Sequence, residues 1–158
     1  MTTKTETEIV MDTSVLLDIL VRSRPRHRFA KLIGAYLIEN GVKVMVPMHG
    51  MFEIRAAMLN AKMQAADKGE RLPLNEDIGE STPLNIHPVA IDDAFFAKYF
   101  DAKIPYLNGG NYPYVALAKA EGLILLTEDA EQYQAAMLCG VQVYNEIDFR
   151  DKCIAKLG

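Results

Sequence analysis

Short apolar runs of strand length recur along this chain, and each is followed by a segment whose apolar residues fall at helical spacing. Few folds accommodate that rhythm. Strands separated by helices do not pair as hairpins; they line up as a parallel sheet with helices on its faces. The runs are Ile9-Val10-Met11, Val42-Lys43-Val44-Met45-Val46, residues 84–91, Leu123-Ile124-Leu125-Leu126 and Val141-Gln142-Val143-Tyr144. Helices are predicted over residues 15–21, 27–40, 51–66, 92–99, 112–121, 130–138 and 148–157. Local punctuation agrees. Pro25 interrupts the first helix, Asn40-Gly41 stops the second, Pro113 sits in the first turn of another, and Gly122 and Gly140 close helices. The expectation is one α/β domain over residues 1–158, three-layered α/β/α, with a central, mainly parallel sheet. Residues 67–83, with Gly69, Pro73, Gly79 and Pro83 among many charges, are expected as a polar loop or insertion.

Composition bounds the rest. At 158 residues, 50% apolar and 24% charged, the chain is an ordinary globular one. Its apolar runs are too short to span a bilayer, so no membrane role is expected. The polar start Met-Thr-Thr-Lys-Thr-Glu-Thr-Glu reads as neither a signal nor a transit peptide. Cys139 and Cys153 make no disulfide framework, and with His27, His49 and His87 scattered they make no zinc site. A reducing cytoplasm is the expected location. The net charge of −4 argues against bulk electrostatic binding of nucleic acid, but the charge is uneven. Residues 1–63 hold 9 Lys and Arg against 6 Asp and Glu; the remainder hold 8 against 15.

In open α/β sheets ligands bind beyond the carboxyl ends of the strands. Asp12-Thr13-Ser14 follows the first run, Thr127-Glu128-Asp129 follows the fourth, Pro47 and a helix carrying Glu53 follow the second, and Asn111 opens the alanine-rich helix. Each has a plainer reading: Asp12, Asp129 and Asn111 as helix N-caps, Glu53 as a surface residue. Three carboxylates and an amide could gather at one sheet edge, where the carboxylates would repel one another unless a cation or proton sat between them. Hard oxygen donors select Mg²⁺ or Mn²⁺, and such ions promote phosphodiester hydrolysis.

Four ordered segments resemble the PIN-domain family, and within it the VapC-type toxin ribonucleases of toxin–antitoxin pairs. They are Ile9 through Asp18, Val46-Pro47 leading to Glu53, Gly110-Asn111-Tyr112-Pro113-Tyr114-Val115-Ala116-Leu117-Ala118, and Leu125-Leu126-Thr127-Glu128-Asp129. The resemblance implies a Mg²⁺- or Mn²⁺-dependent endoribonuclease with catalytic and metal-binding residues Asp12, Glu53, Asn111 and Asp129. It implies supporting hydroxyls at Ser14 and Thr127, an RNA substrate, an antitoxin partner and a homodimer. Asn111 departs from the family pattern, which has an acid there. Either the site works with a reduced or altered metal requirement, Asn111 ligating through its neutral oxygen or Asp93 or Asp101 moving in, or the domain binds RNA or protein without cleaving.

Arg22, Arg24, Arg26 and Arg28, followed by Lys31, are read as contacts to RNA phosphates or a partner, with a solvated face as the plain alternative. Met45, Met48, Met51, Met58 and Met63 read mainly as core, and Tyr106, Tyr112 and Tyr114 as packing rather than base stacking. Other strand-end chemistries fit poorly. An aspartyl phosphatase needs a second acid where Ser14 stands, and a nucleotide-binding turn needs glycines.

Overall fold

The computed structural model describes residues 7–69 and 84–154. The predicted insertion at 67–83 falls almost wholly outside them. The elements run β1 (Glu8–Met11), α1 (Thr13–Leu20), α2 (His27–Glu39), β2 (Lys43–Pro47), α3 (Met48–Asp67), β3 (Asn85–Val89), α4 (Asp93–Tyr99), α5 (Tyr112–Glu121), β4 (Ile124–Leu126), α6 (Ala130–Leu138), β5 (Val143–Tyr144) and α7 (Glu146–Phe149), which continues into a π-helical segment, Arg150–Ile154.

The strands form one parallel sheet in the order β3-β2-β1-β4-β5. Helices α1, α2 and α3 form one contiguous packed group and α4, α5 and α6 another, giving the three-layer α/β/α arrangement. Val10, Val44, Val46, Leu125 and Leu126 are fully buried, as strands covered on both faces must be. Pro88 lies in the sheet-edge strand β3, where a missing N–H is tolerated. Gly122 takes φ +65° to close α5.

Several boundaries differ from the prediction: α1 starts at Thr13 rather than Val15, and β3 and β5 are shorter than the predicted runs. Helix α3 starts at Met48 rather than Met51, directly behind Pro47, because the strand's last residue serves as its N-cap. The final helix starts at Glu146, capped by Asn145 Oδ1, which accepts from Asp148 N.

From β1 the chain moves to β2 on one side, and from β4 to β5 on the other. The crevice between the carboxyl ends of β1 and β4 is therefore the topological switch point. The pairing Met11↔Leu126 places Asp12 beside Thr127, and the ladder extends one residue further, Asp12 N donating to Leu126 O at 3.0 Å. Gly50 lets the start of α3 approach this crevice. A Cβ there would lie 2.2 Å from Tyr114 Oη and about 3 Å from Thr13 Cγ2 and Val46 Cγ1. Gly50→Ala is expected to cost about 1–3 kcal/mol by overpacking. The expected readout is a lower urea midpoint, and a wild-type midpoint would contradict this packing.

Candidate active site

Asp12 ends β1 and caps α1. Asp12 is 5% exposed, and its carboxylate faces four donors, one of them the Thr13 hydroxyl, whose single proton is shared with Glu53. Oδ1 accepts from Thr13 N at 2.8 Å and Thr13 Oγ1 at 3.4 Å; Oδ2 accepts from Ser14 Oγ at 2.8 Å and Thr127 Oγ1 at 3.1 Å. Thr127, at the end of β4, also accepts from Asp129 N at 3.0 Å. One buried hydroxyl thus ties the two strand ends together. The plain capping reading and the site reading coincide, since Asp129 Oδ1 also caps α6 by accepting from Gln132 N.

Glu53 projects from α3 at the solvent edge, and its Oε2 accepts from Thr13 Oγ1 at 3.1 Å. Thr13 therefore stands between the Asp12 and Glu53 carboxylates. Asn111 precedes α5 but makes no side-chain cap; its Oδ1 accepts from Gln132 Nε2 at 2.9 Å. His49, one helical turn before Glu53, holds the loop leading to Asn111 through Nε2 and Gly110 O at 2.8 Å. Asp12, Ser14, Glu53, Asn111 and Asp129 line one pocket of about 460 Å³, together with Thr13, Asn108, Gly110, Tyr114 and Glu128. Asp93 and Asp101 do not line it. Asp93 is exposed on α4, and Asp101 is paired with Lys119.

The acids of this region fall into two groups. Asp18 pairs with Arg24, Glu128 with Arg26, Asp101 with Lys119, and Glu121 with Lys98. Among the described residues, Asp12, Glu53 and Asp129 have no Lys or Arg partner. Burial, and then the charges of Asp12 and Glu53, push the Tyr114 hydroxyl well above the usual tyrosine range. The pocket is thus electronegative. Among the described residues, no three His, Cys, Asp or Glu side chains converge as a ready-made metal group. The carboxylate oxygens of Asp12, Glu53 and Asp129, with no sulfur among them, are nonetheless chemically suited to a hard cation.

The arginine run divides. Arg24 binds Asp18 through Nε at 2.6 Å, and Arg26 binds Glu128 at the pocket wall. Arg28 lies over the Phe29 ring, and Arg22 is exposed. Two of the four expected contacts are therefore engaged within the protein. Tyr114 is buried against His49, Tyr112 stacks on Phe100, and Tyr106 is 97% exposed. Met51 and Met58 are core, whereas Met48 and Met63 are exposed.

Sequence reasoning missed Thr13, Gln132 and Glu146. Gln132 stands three residues after Asp129, a capping-box-like spacing that could have singled it out. Glu146 lies buried beside Asp18, with Oε1 unpartnered, and its backbone N–H donates to Glu128 Oε1 at 2.7 Å. Burial, then the hydrogen bond and charge of Asp18, raise its carboxyl from 4.5 to about 9. The folded protein retains this proton where the unfolded chain loses it. This contribution to stability is therefore full below about 4.5 and is lost as pH rises toward 9. Glu146→Gln should flatten that decline and raise the urea midpoint at pH 8. An unchanged pH slope would contradict the protonated state.

Residues 9–138 match the family model described as PIN domain. No curated protein matches the chain. Among solved structures, VapBC2 from Rickettsia felis bound to a DNA fragment from its promoter is similar at TM-score 0.57 and 12% identity, covering 88% of this chain and 98% of that one. FitAcB from Neisseria gonorrhoeae is similar at TM-score 0.55 and 20% identity, with coverage of 88% and 98%. FitAB bound to the IR36 DNA fragment is similar at TM-score 0.55 and 18% identity, covering 87% and 94%. At these identities the likeness is one of fold.

Proposed function

The chain belongs to the PIN domain family, and from that premise we propose that it is a Mg²⁺- or Mn²⁺-dependent endoribonuclease, the toxin of a toxin–antitoxin pair acting in the cytoplasm. The observation that carries this reading is the set of unpaired carboxylates. Asp12 is buried, Glu53 and Asp129 share its pocket, and none has a basic partner among the described residues, while neighbouring acids are paired. A buried carboxylate so exempted from pairing is arranged for a cation from outside the protein.

Asp12, Glu53 and Asp129 would hold the ion. A bound divalent ion supplies charge that polarises a phosphate oxygen, activates water and steadies the leaving oxygen. The protein supplies the orientation. Ser14 and Thr127 donate to Asp12 Oδ2, and Thr13 N and Oγ1 to Oδ1, so that carboxylate is held in one rotamer. The Thr13 hydroxyl sets Glu53 relative to Asp12, and Thr127 sets the Asp129 backbone. Hydrolysis adds a water oxygen to phosphorus and expels a ribose oxygen, and each needs its partners fixed in line before reaction.

Arg22 and Arg28 remain available for RNA phosphates. Phe52, Leu59 and Met63, exposed on α3, suit an apolar partner face for an antitoxin or a second copy. The proteins to which this fold is similar are described as VapBC2, FitAcB and FitAB, two of them bound to DNA. One observation favours a second reading, an RNA- or protein-binding module without cleavage: the neutral Asn111 stands where the family has an acid.

Purified protein with Mn²⁺ should cleave single-stranded RNA. Asp12→Asn or Glu53→Gln should abolish cleavage, and Ser14→Ala or Thr127→Val should lower it by about 10–100-fold. Cleavage indifferent to Asp12→Asn overturns the nuclease reading, and cleavage appearing only in Asn111→Asp establishes the binding module. RNA affinity should fall with salt, and neutralising Arg22 and Arg28 should reduce the log–log slope by about 1 each. An unchanged slope removes them from the RNA path.

A further inference from the structure

Gln132 determines what Asn111 offers to the pocket. The Gln132 side chain is 1% exposed, its backbone N–H donates to Asp129 Oδ1, and its Nε2 donates to Asn111 Oδ1. One residue on α6 therefore touches an acid of the site through its backbone N–H and, through its buried side chain, the amide that stands in place of another acid. The Asn111 oxygen is drawn toward α6. Its Nδ2, with no partner among the described residues, is left for the pocket that Asn111 lines. Gln132 Oε1 is buried without a partner. Reversing both amides would bury the two N–H donors of Gln132 there instead. Orphaned buried donors are rarer than an under-satisfied carbonyl, so the orientation with Asn111 as pocket donor is favoured.

We propose that Asn111 is a hydrogen-bond donor to a non-bridging phosphate oxygen of the RNA strand rather than a metal ligand, and that Gln132 is the residue that positions it. The identity of the anion rests on the nuclease reading. A neutral donor at this position suits the surrounding charges. With Asp12, Glu53 and Asp129 already anionic, a fourth carboxylate would repel an incoming phosphodiester, whereas an amide N–H attracts one.

The test uses binding alone. A 2′-O-methyl RNA oligonucleotide, which resists cleavage, is titrated by fluorescence anisotropy in EDTA, and Mn²⁺ binding is followed separately by electron paramagnetic resonance. Asn111→Ala should weaken the oligonucleotide by about tenfold, the loss of one hydrogen bond to a charged group, and leave Mn²⁺ affinity unchanged. Asn111→Asp should weaken the oligonucleotide further and tighten Mn²⁺. Gln132→Met keeps a similar volume but removes the donor, so it releases the Asn111 side chain and should weaken the oligonucleotide alone, whereas a loosened fold would weaken Mn²⁺ and the oligonucleotide together. Loss of Mn²⁺ affinity in Asn111→Ala with oligonucleotide binding intact overturns the proposal. So does an oligonucleotide affinity equal to wild type, including no binding by either protein. None of these readouts requires turnover, so their failure is distinct from failure of Asp12-dependent cleavage.

Discussion

A carboxylate almost removed from water, with no Lys or Arg partner among the described residues, is the constraint around which this molecule is arranged. Left alone, the buried Asp12 charge would cost several kcal/mol. The four donors it faces offset much of that cost, and each makes a demand on the fold. Thr13 N must open a helix immediately after β1. Ser14 must turn back toward the strand end. Thr127 must arrive from the far end of the chain on an adjacent parallel strand, in the register that pairs Met11 with Leu126. A slip of one residue in β4 would send the Thr127 side chain to the opposite face of the sheet and leave Oδ2 with a single donor.

Charge is sorted around that point. The acids next outward, Asp18, Glu128 and Asp101, are each neutralised by a basic residue, and Glu146 keeps a proton beside Asp18. The arginines between α1 and α2 therefore have an internal role. Arg24 and Arg26 clamp that loop to α1 and to the turn after β4, fixing the wall of the pocket from behind. Among the described residues the pocket acids have no Lys or Arg partner, and after burial the charges of Asp12 and Glu53 help to raise the Tyr114 hydroxyl.

Much of this was legible because it is local. Strand–helix alternation, the Asn40-Gly41 and Gly122 stops and the strand-end positions of Asp12 and Asp129 are properties of short segments, and they predict a parallel sheet with acids at one edge. The three-layer fold follows from them. What periodicity does not encode is partnership across the fold. Nothing in Arg22-Ser23-Arg24-Pro25-Arg26 says that alternate arginines find Asp18 and Glu128, since those contacts depend on how α1 and the β4–α6 turn pack. Gln132 is similarly silent on a helix whose other polar residues face water, and its value comes from Asn111, 21 residues away. The methionines divide because α3 presents one side to the sheet and one to solvent, a partition invisible where Met appears on both. The late start of Leu123–Leu126 relative to its partner run was readable as a strand, but its place beside β1 required the packed sheet.

The hydrogen bond from Thr127 to Asp12 closes a separation of 115 residues. During synthesis Asp12 and Glu53 leave the ribosome long before the strand that completes their surroundings. Until β4 docks beside β1, Asp12 lacks the Thr127 donor and the pocket lacks the wall that carries Asp129. The geometry therefore requires the chain at least as far as Asp129, although β1 already pairs with β2 and Thr13 already reaches Glu53 without β4. The switch-point topology thus makes the pocket depend on two strands that are neighbours in the sheet and far apart in the sequence.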